Sequence, residues 1–207
     1  MLLDFDSLYT KYNLKIKGVL HIGAHFGQEN TAYQKYNIQN KIFFEPLPHT
    51  YEILKQNVKD GVLVNKALGS INSKINMYVE HVNQGQSSSM LKPKKHLIQH
   101  PDIIFDSTCE VDMIRLDDYE YDRNNYNFIN IDVQGYELEV FRGARENLNF
   151  IDYIMSEVNR DEIYQNCAQL TELDYFLSKY NFKRVELIWP YPTSGWGDAF
   201  YVKEKKI

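Results

Sequence analysis

The chain runs to 207 residues, 43% of them hydrophobic and 14% aromatic, which is enough for one sizeable core. With 28 acidic against 23 basic side chains the formal net charge is −5, which excludes the global basic field that draws nucleic acid or an anionic membrane. Cys109 and Cys167 make neither a disulfide framework nor a CxxC metal spacing, and no apolar run approaches the roughly 18 residues of a membrane span.

The opening "MLLDFDSLYTKYNLKIKG" carries early acids and no apolar signal core. Residues 1–16 therefore read as a lead-in, and the expected setting is soluble and cytoplasmic. "GVLHIG" (18–23) predicts a strand, "QENTAYQKYN" (28–37) a helix, "KIFFEP" (41–46) a strand, "HTYEILKQNV" (49–58) a helix and "GVLVNKAL" (61–68) a third strand. That β-α-β-α-β start implies a parallel sheet with helices on both faces. "SKINMYVE" (73–80) predicts an added strand, and the polar stretch within 83–107 a lid or substrate loop, before a strand over 108–119. The alternation then resumes with strands at 126–135 and 151–159, helices at 136–148 and 170–181, and a closing hairpin from 182–189 and 198–204. With no repeat and no linker, residues 1–207 are expected to form a single α/β domain.

In an open parallel sheet, ligands bind at the carboxyl ends of the strands near the switch point. The first strand ends in Gly23-Ala24-His25-Phe26-Gly27, small residues before a helix N-terminus, which favours an anionic group. The second ends in Glu45, about 20 residues past the glycine turn, the placement of an acid that grips a ribose diol. Neither GxGxxG nor GxxxxGK[ST] is present, so a pyrophosphate is not expected. S-adenosylmethionine fits better: it offers a ribose, an ammonium, a carboxylate and a sulfonium, and Asp132 on the fourth strand supplies an acid for the cationic groups.

The blocks "HIGAHFGQE", "IFFEPLPHTYEILKQNV", "SSSML", "RLDDY", "NFINIDVQGYELEVFRGA", "MSEVN" and "WGDAFYV" resemble, in order, those of the FkbM family of S-adenosylmethionine-dependent methyltransferases. The resemblance runs from about residue 17 to about residue 203, and its most specific block is "IDVQGYELEVFRGA". It implies a Rossmann-like class I methyltransferase fold: a mostly parallel seven-stranded sheet with a C-terminal antiparallel strand, plus extra strands and a lid loop inserted in the middle. Two departures stand out, Gln134 where Glu is commoner and His21 where many members carry Asp. An imidazole holds an ammonium poorly, so Glu29 or Asp132 would have to do so. The expected cofactor set is His21, Gly23, Ala24, His25, Gly27, Gln28, Glu29, Glu45, Pro46, Ala67, Ser88 and Asp132.

Methyl transfer to oxygen needs an aligned acceptor and a base for its proton. Asp132 beside Gly135, with Glu157 and Asn159 at the end of the neighbouring strand, are the expected catalytic residues, joined by His100 as a loop imidazole of suitable pKa. No metal is firmly called for; a divalent ion, if held, would take Asp132, Glu157 and Asp198. Glu137, in the first turn of its helix, reads as a cap complementing the dipole. Gln86, Ser87, Gln134 and Trp196 are the expected acceptor contacts, and Trp189 and Tyr191 add aromatic platforms of the kind that stack on sugar faces. The expected reaction is O-methylation of a sugar or glycan, with no nucleic acid partner. The alternatives are a methyltransferase for a nucleic acid or another small molecule, and a non-catalytic module that binds S-adenosylmethionine, which His21 would favour.

Overall fold

A computed structural model of the chain describes residues 1–204. The elements in chain order are α1 (Phe5–Lys11), β1 (Gly18–Ile22), α2 (Asn30–Lys35), β2 (Asn40–Phe44), α3 (Pro48–Asn57), β3 (Val62–Val64), β4 (Ala67–Leu68) and β5 (Ser73–Glu80). They continue with α4 (His96–Gln99), β6 (Phe105–Ile114), β7 (Phe128–Ile131), α5 (Glu137–Arg142), β8 (Tyr153–Asn159), α6 (Leu170–Ser178), β9 (Phe182–Ile188) and β10 (Trp196–Lys203). A seven-stranded sheet has the order β3-β2-β1-β7-β8-β10-β9, and β4, β6 and β5 form a separate three-stranded sheet. Within the large sheet β10 runs antiparallel to both β8 and β9, and the other pairings are parallel. Among the described residues no helix is long and apolar enough to cross a membrane.

The central strands are buried on both faces, as strands covered by helices on each side must be, and are mostly apolar, with His21, Lys41 and Asn130 as the buried polar exceptions in β1, β2 and β7. Val19, Phe43, Phe128, Met155 and Phe200 pack with Leu54 and Tyr33 on one face. On the other, Leu20, Ile42, Ile129 and Ile154 pack with Phe141, Leu173 and Leu177. After β1 the chain builds outward through β2 and β3, then returns to lay β7 on the other flank of β1. This is the reversal of strand order at which the carboxyl ends open into a crevice.

Four local expectations are corrected. The run 61–68 is not one strand: the Asn65 side chain donates to the carbonyls of Glu45 and Pro46, the chain turns there, and Ala67–Leu68 pair with Met113–Ile114 in the small sheet. The helix expected over 136–148 stops at Arg142, because Gly143 lies against Gly69, and a 3-10 turn at Asn147–Asn149 follows. The helix expected from residue 28 begins only at Asn30. The segment 83–107 is not all loop, since it holds α4 and the start of β6.

A Cβ at Gly143 would stand 1.9 Å from the carbonyl oxygen of Gly69. Gly143→Ala must therefore prise the two segments apart, and is expected to lower stability by ~1–3 kcal/mol. Denaturant unfolding checks this; an unchanged midpoint would mean the contact is not under constraint.

Candidate functional site

A cavity of about 470 Å³ opens at the carboxyl ends of β1, β2, β7 and β8, within the range of ordinary ligand pockets. Its floor depends on Gly23, whose φ of +78° is in the left-handed region and whose Cβ would meet the Asp132 carbonyl oxygen at 1.9 Å. The N–H groups of Gly23 and Ala24 both donate to the Phe44 carbonyl, at 3.0 and 2.9 Å, and that of Gly27 to the Ala24 carbonyl at 2.8 Å. These donors, expected to receive an anionic ligand group, are thus spent within the protein.

Glu45 is buried at the end of β2. Its Oε2 accepts from the His25 N–H and its Oε1 from the Leu47 N–H, each at 2.9 Å. Burial outweighs these two bonds and pushes its pKa up to about 7. One side chain therefore fixes the glycine loop and the approach to α3 while facing the cavity.

Of the residues named for the cofactor, His21, Gly23, Ala24, His25, Gln28, Glu29, Pro46, Ala67, Ser88 and Asp132 also line the cavity. Gly27 does not: it turns toward α3, with its would-be Cβ 2.5 Å from Val58 Cγ2. His21 is buried, and desolvation lowers its pKa, so the ring is neutral near pH 7. Tyr33 Oη lies 3.4 Å from its Nδ1, and Asn130 Nδ2 and Glu29 Oε2 lie 3.5 and 3.8 Å from its Nε2.

Parallel pairing of β7 with β8 sets Ile131 opposite Ser156, so Asp132, just past the end of β7, stands beside Glu157, which is still within β8 and paired with Asp198 of β10. Gln134 Nε2 donates to Asp132 Oδ1 at 2.7 Å and to Glu157 Oε2 at 2.8 Å. Burial raises the Glu157 pKa well above the ordinary carboxylate value, and the charges of Asp132, Glu137 and Asp198 add to that. Glu137 does not cap its helix as expected: its Oε1 accepts from the N–H groups of Val133 and Gly135, at 3.1 Å, both ahead of α5, and so braces the turn that follows β7. It also joins the acid cluster: one oxygen each of Asp132, Glu137 and Glu157 lie within 4.8 Å of one another. Burial pushes Glu137 up to about 7.

Two expected residues stand apart. Asp198 is not the third acid of that cluster; its Oδ2 accepts from the backbone N–H groups of Leu2 and Leu3, the latter at 2.9 Å. Asn159 is buried opposite Trp196 across the β8–β10 pairing, off the cavity lining, with no hydrogen-bond partner for its side-chain amide among the described residues. Gln86, Ser87, Gln134, His100 and Trp196 do line the cavity, whereas Trp189 and Tyr191 do not. The Arg160 guanidinium covers the Trp189 ring at 4.5 Å.

Several groups escaped sequence reasoning. Glu80, fully buried at the end of β5, shapes the lid loop by accepting from the N–H groups of Asn83 and Ser87 at 2.6 and 3.2 Å. His25 bonds the Gln84 carbonyl through Nε2 at 2.8 Å, tying that loop to the glycine turn. Met1 and Leu2 reach the cavity wall; so does His96, a loop histidine that the sequence offers beside His100 as a base near neutrality, but burial and His100 lower its pKa to about 4. Nothing in the local pattern of "YVEHVNQ" or "MLLDF" marks these contacts.

A family model described as the methyltransferase FkbM domain matches residues 21–184. The 2-O-methyltransferase NoeI of Sinorhizobium fredii (strain NBRC 101917 / NGR234) is 27% identical over 195 residues, 87% of this chain and 77% of its own. Among solved structures, magnesium protoporphyrin IX methyltransferase (ChlM) of Synechocystis PCC 6803 with bound S-adenosylmethionine superposes with a TM-score of 0.56 at 8% identity, over 96% of this chain and 76% of that one. A Listeria monocytogenes chain described as an S-adenosylmethionine-dependent methyltransferase gives 0.55 at 10% identity, over 98% of this chain and 100% of that one. At such identities the structures show a shared fold.

The buried acids make stability depend on pH with a definite sign. Glu45, Glu137 and Glu157 hold protons more tightly folded than unfolded, so stability is lost as pH rises through their folded pKa values. His21 and His96, held below the ordinary imidazole value, act oppositely, but only below about pH 7. The ligand-free protein is expected to lose thermal stability from about pH 6 to about pH 7, as the opposition of the histidines fades, and Glu157→Gln to make that loss smaller. A melting temperature that rises across this window would contradict the assignment.

Proposed function

The chain belongs to the FkbM methyltransferase family, and on that premise we propose that it moves a methyl group from S-adenosylmethionine to a hydroxyl of a sugar or glycan. The observation that carries this reading is the side-by-side placement of Asp132 and Glu157 on the same cavity as Glu45. The name of the relative, a 2-O-methyltransferase, supports an oxygen acceptor.

Bound S-adenosylmethionine supplies a methyl carbon already activated by its sulfonium. The residues present suit so cationic a partner: Glu29, Glu45, Asp132 and Glu157 all line the cavity, and desolvated acids favour a neighbouring cation. Glu45, placed at the end of β2, accepts hydrogen bonds from the ribose hydroxyls. Glu29 and Asp132 face the cationic methionine end, which neutral His21 leaves to them. Lid residues Ser87, Ser88 and Gln86 close over the site and exclude water.

A sugar hydroxyl does not ionise near neutrality, so its proton must be taken as the oxygen–carbon bond forms. Asp132 and Glu157 are the carboxylates placed to receive it. The raised pKa of Glu157 makes it a stronger base once ionised, which favours proton transfer. Gln86 and Trp196 hold the sugar, the amide bonding hydroxyls and the indole covering the ring face. His100, also on the cavity lining, is placed in this reading as a further hydrogen-bonding partner of the acceptor.

Two measurements test the reading. With methyl-labelled S-adenosylmethionine and a panel of methyl glycosides, label is expected in an alkali-stable ether. Asp132→Asn and Glu157→Gln should each lower that transfer by about 10²-fold or more. Label found only in esters, amines or nucleic acid, or full turnover by both variants, would overturn it. By calorimetry, Glu45→Ala is expected to weaken S-adenosylmethionine binding about tenfold, the loss of one ~1.4 kcal/mol contact; undiminished affinity would remove the ribose assignment.

A further inference from the structure

Gln134 occupies an unusual place. Its φ is +54°, and Gly135 follows at +95°, so the chain makes a left-handed turn that throws the side chain back between the ends of β7 and β8. A primary amide has one donor end and one acceptor end, and its orientation decides what the neighbouring acids meet. With the nitrogen toward them, Asp132 and Glu157 share two N–H donors at 2.7 and 2.8 Å. Turned over, the amide would set its carbonyl oxygen against two carboxylates.

What fixes the orientation is Tyr164. Its hydroxyl lies 2.7 Å from Gln134 Oε1 and 2.8 Å from the Ser87 carbonyl, so its single proton faces two acceptors. The phenol is fully buried, and its pKa is raised well above the ordinary value by burial and by Glu157, Asp132 and Glu137 nearby, which keeps it a donor. Tyr164 is not part of the cavity lining and so touches no ligand there. Its own seat comes from the inserted segment: it forms a bridge with Pro93, flanked by bonds from Lys94 N and His96 N to the Ile163 carbonyl and from Gln165 N to the Lys92 carbonyl. A further tie holds the Gln134 backbone, whose carbonyl accepts from Ser89 Oγ at 2.7 Å.

We infer that Tyr164 is a positioning residue for methyl transfer: its hydroxyl orients the Gln134 amide, which sets the Asp132–Glu157 pair, and it joins that pair to the lid at Ser87. The inference rests on the reading of Asp132 and Glu157 as the reacting end of the site. Tyr164 acts through Gln134 and not on the acceptor, so the two side chains form one chain of contacts and their removal cannot be additive.

The test uses the full chain with Tyr164→Phe, Gln134→Met and the double variant; Met keeps the length of Gln and its backbone preference while removing the amide. Labelled methyl transfer to the best glycoside of the panel is expected to fall at least tenfold in kcat for each single variant. The double variant should be no worse than the more damaged single, with the S-adenosylmethionine Kd within twofold throughout. Independent of any acceptor, the Gln134 side-chain amide, assigned in ¹⁵N spectra by its loss in Gln134→Met, should be protected from exchange in the wild type and exchange rapidly in Tyr164→Phe. An amide as protected in Tyr164→Phe as in the wild type, multiplicative losses in the double variant, or a Kd that rises in step with the fall in kcat would overturn the inference. Should Asp132→Asn and Glu157→Gln keep full turnover while the amide responds to Tyr164→Phe as expected, the contact stands and the catalytic reading fails, so the two failures are distinguishable. Should Tyr164→Phe not fold, the split between kcat and Kd in Gln134→Met decides: equal change in both overturns the inference.

Discussion

The site depends on how closely the end of β1 approaches the end of β7. Gly23 sits so near the Asp132 carbonyl that a Cβ would stand 1.9 Å from it, and its φ of +78° is one that side chains rarely adopt. With no side chain there, β1 and β7 can pair to their ends and then diverge. Glu45 is left on one side of the divergence, and Asp132 with Glu157 on the other. A residue larger than glycine would widen the crevice and separate Glu45 from Asp132 and Glu157. The glycine is spent on bringing two strands together and not, as in a pyrophosphate loop, on presenting N–H groups, since those of residues 23 and 24 already serve the Phe44 carbonyl.

Around that crevice the protein buries several carboxyl groups in one place, which is costly in the absence of a cation. Backbone N–H groups reduce the cost at Glu45 and Glu137, and the Gln134 amide does so at Asp132 and Glu157. What remains appears as raised pKa values, caused first by burial, with neighbouring acids adding to it at Glu137 and Glu157. A ligand bearing positive charge lowers that cost as it binds, so binding energy and the state of the acids are coupled.

Much of the scaffold could be read from the residues because local pattern and global fold agree there. "GVLHI" and "NKIFF" are rich in apolar residues and buried on both faces, as parallel strands under helices are, and Glu45 stands at the end of its strand, on the cavity, as its place in the sequence suggests. The failures share a cause, in that each depends on a contact distant in sequence. Gly143 ends its helix because Gly69 is beside it, and Asn65 turns the chain because two carbonyls from the end of β2 lie within reach. Asp198 looks like a spare cavity acid until Leu2 and Leu3 are found on it. Glu137 obeys the first-turn preference for acids, which hid its place beside Asp132 and Glu157.

The inserted segment illustrates the same point at the level of function. Serines 87 to 89 suggest hydroxyls offered to a ligand, and Ser87 and Ser88 do line the cavity. Yet Ser88 Oγ accepts from the Glu80 N–H, and Ser89 Oγ donates to the Gln134 carbonyl. The segment is held at one end by His25 on the glycine turn and at the other by Tyr164 and Gln134 beside the acids. A loop fastened in this way cannot shift over the glycine turn without loading its attachment beside the acids. Its polar side chains serve as much to transmit position between the two ends of the cavity as to contact what lies within it.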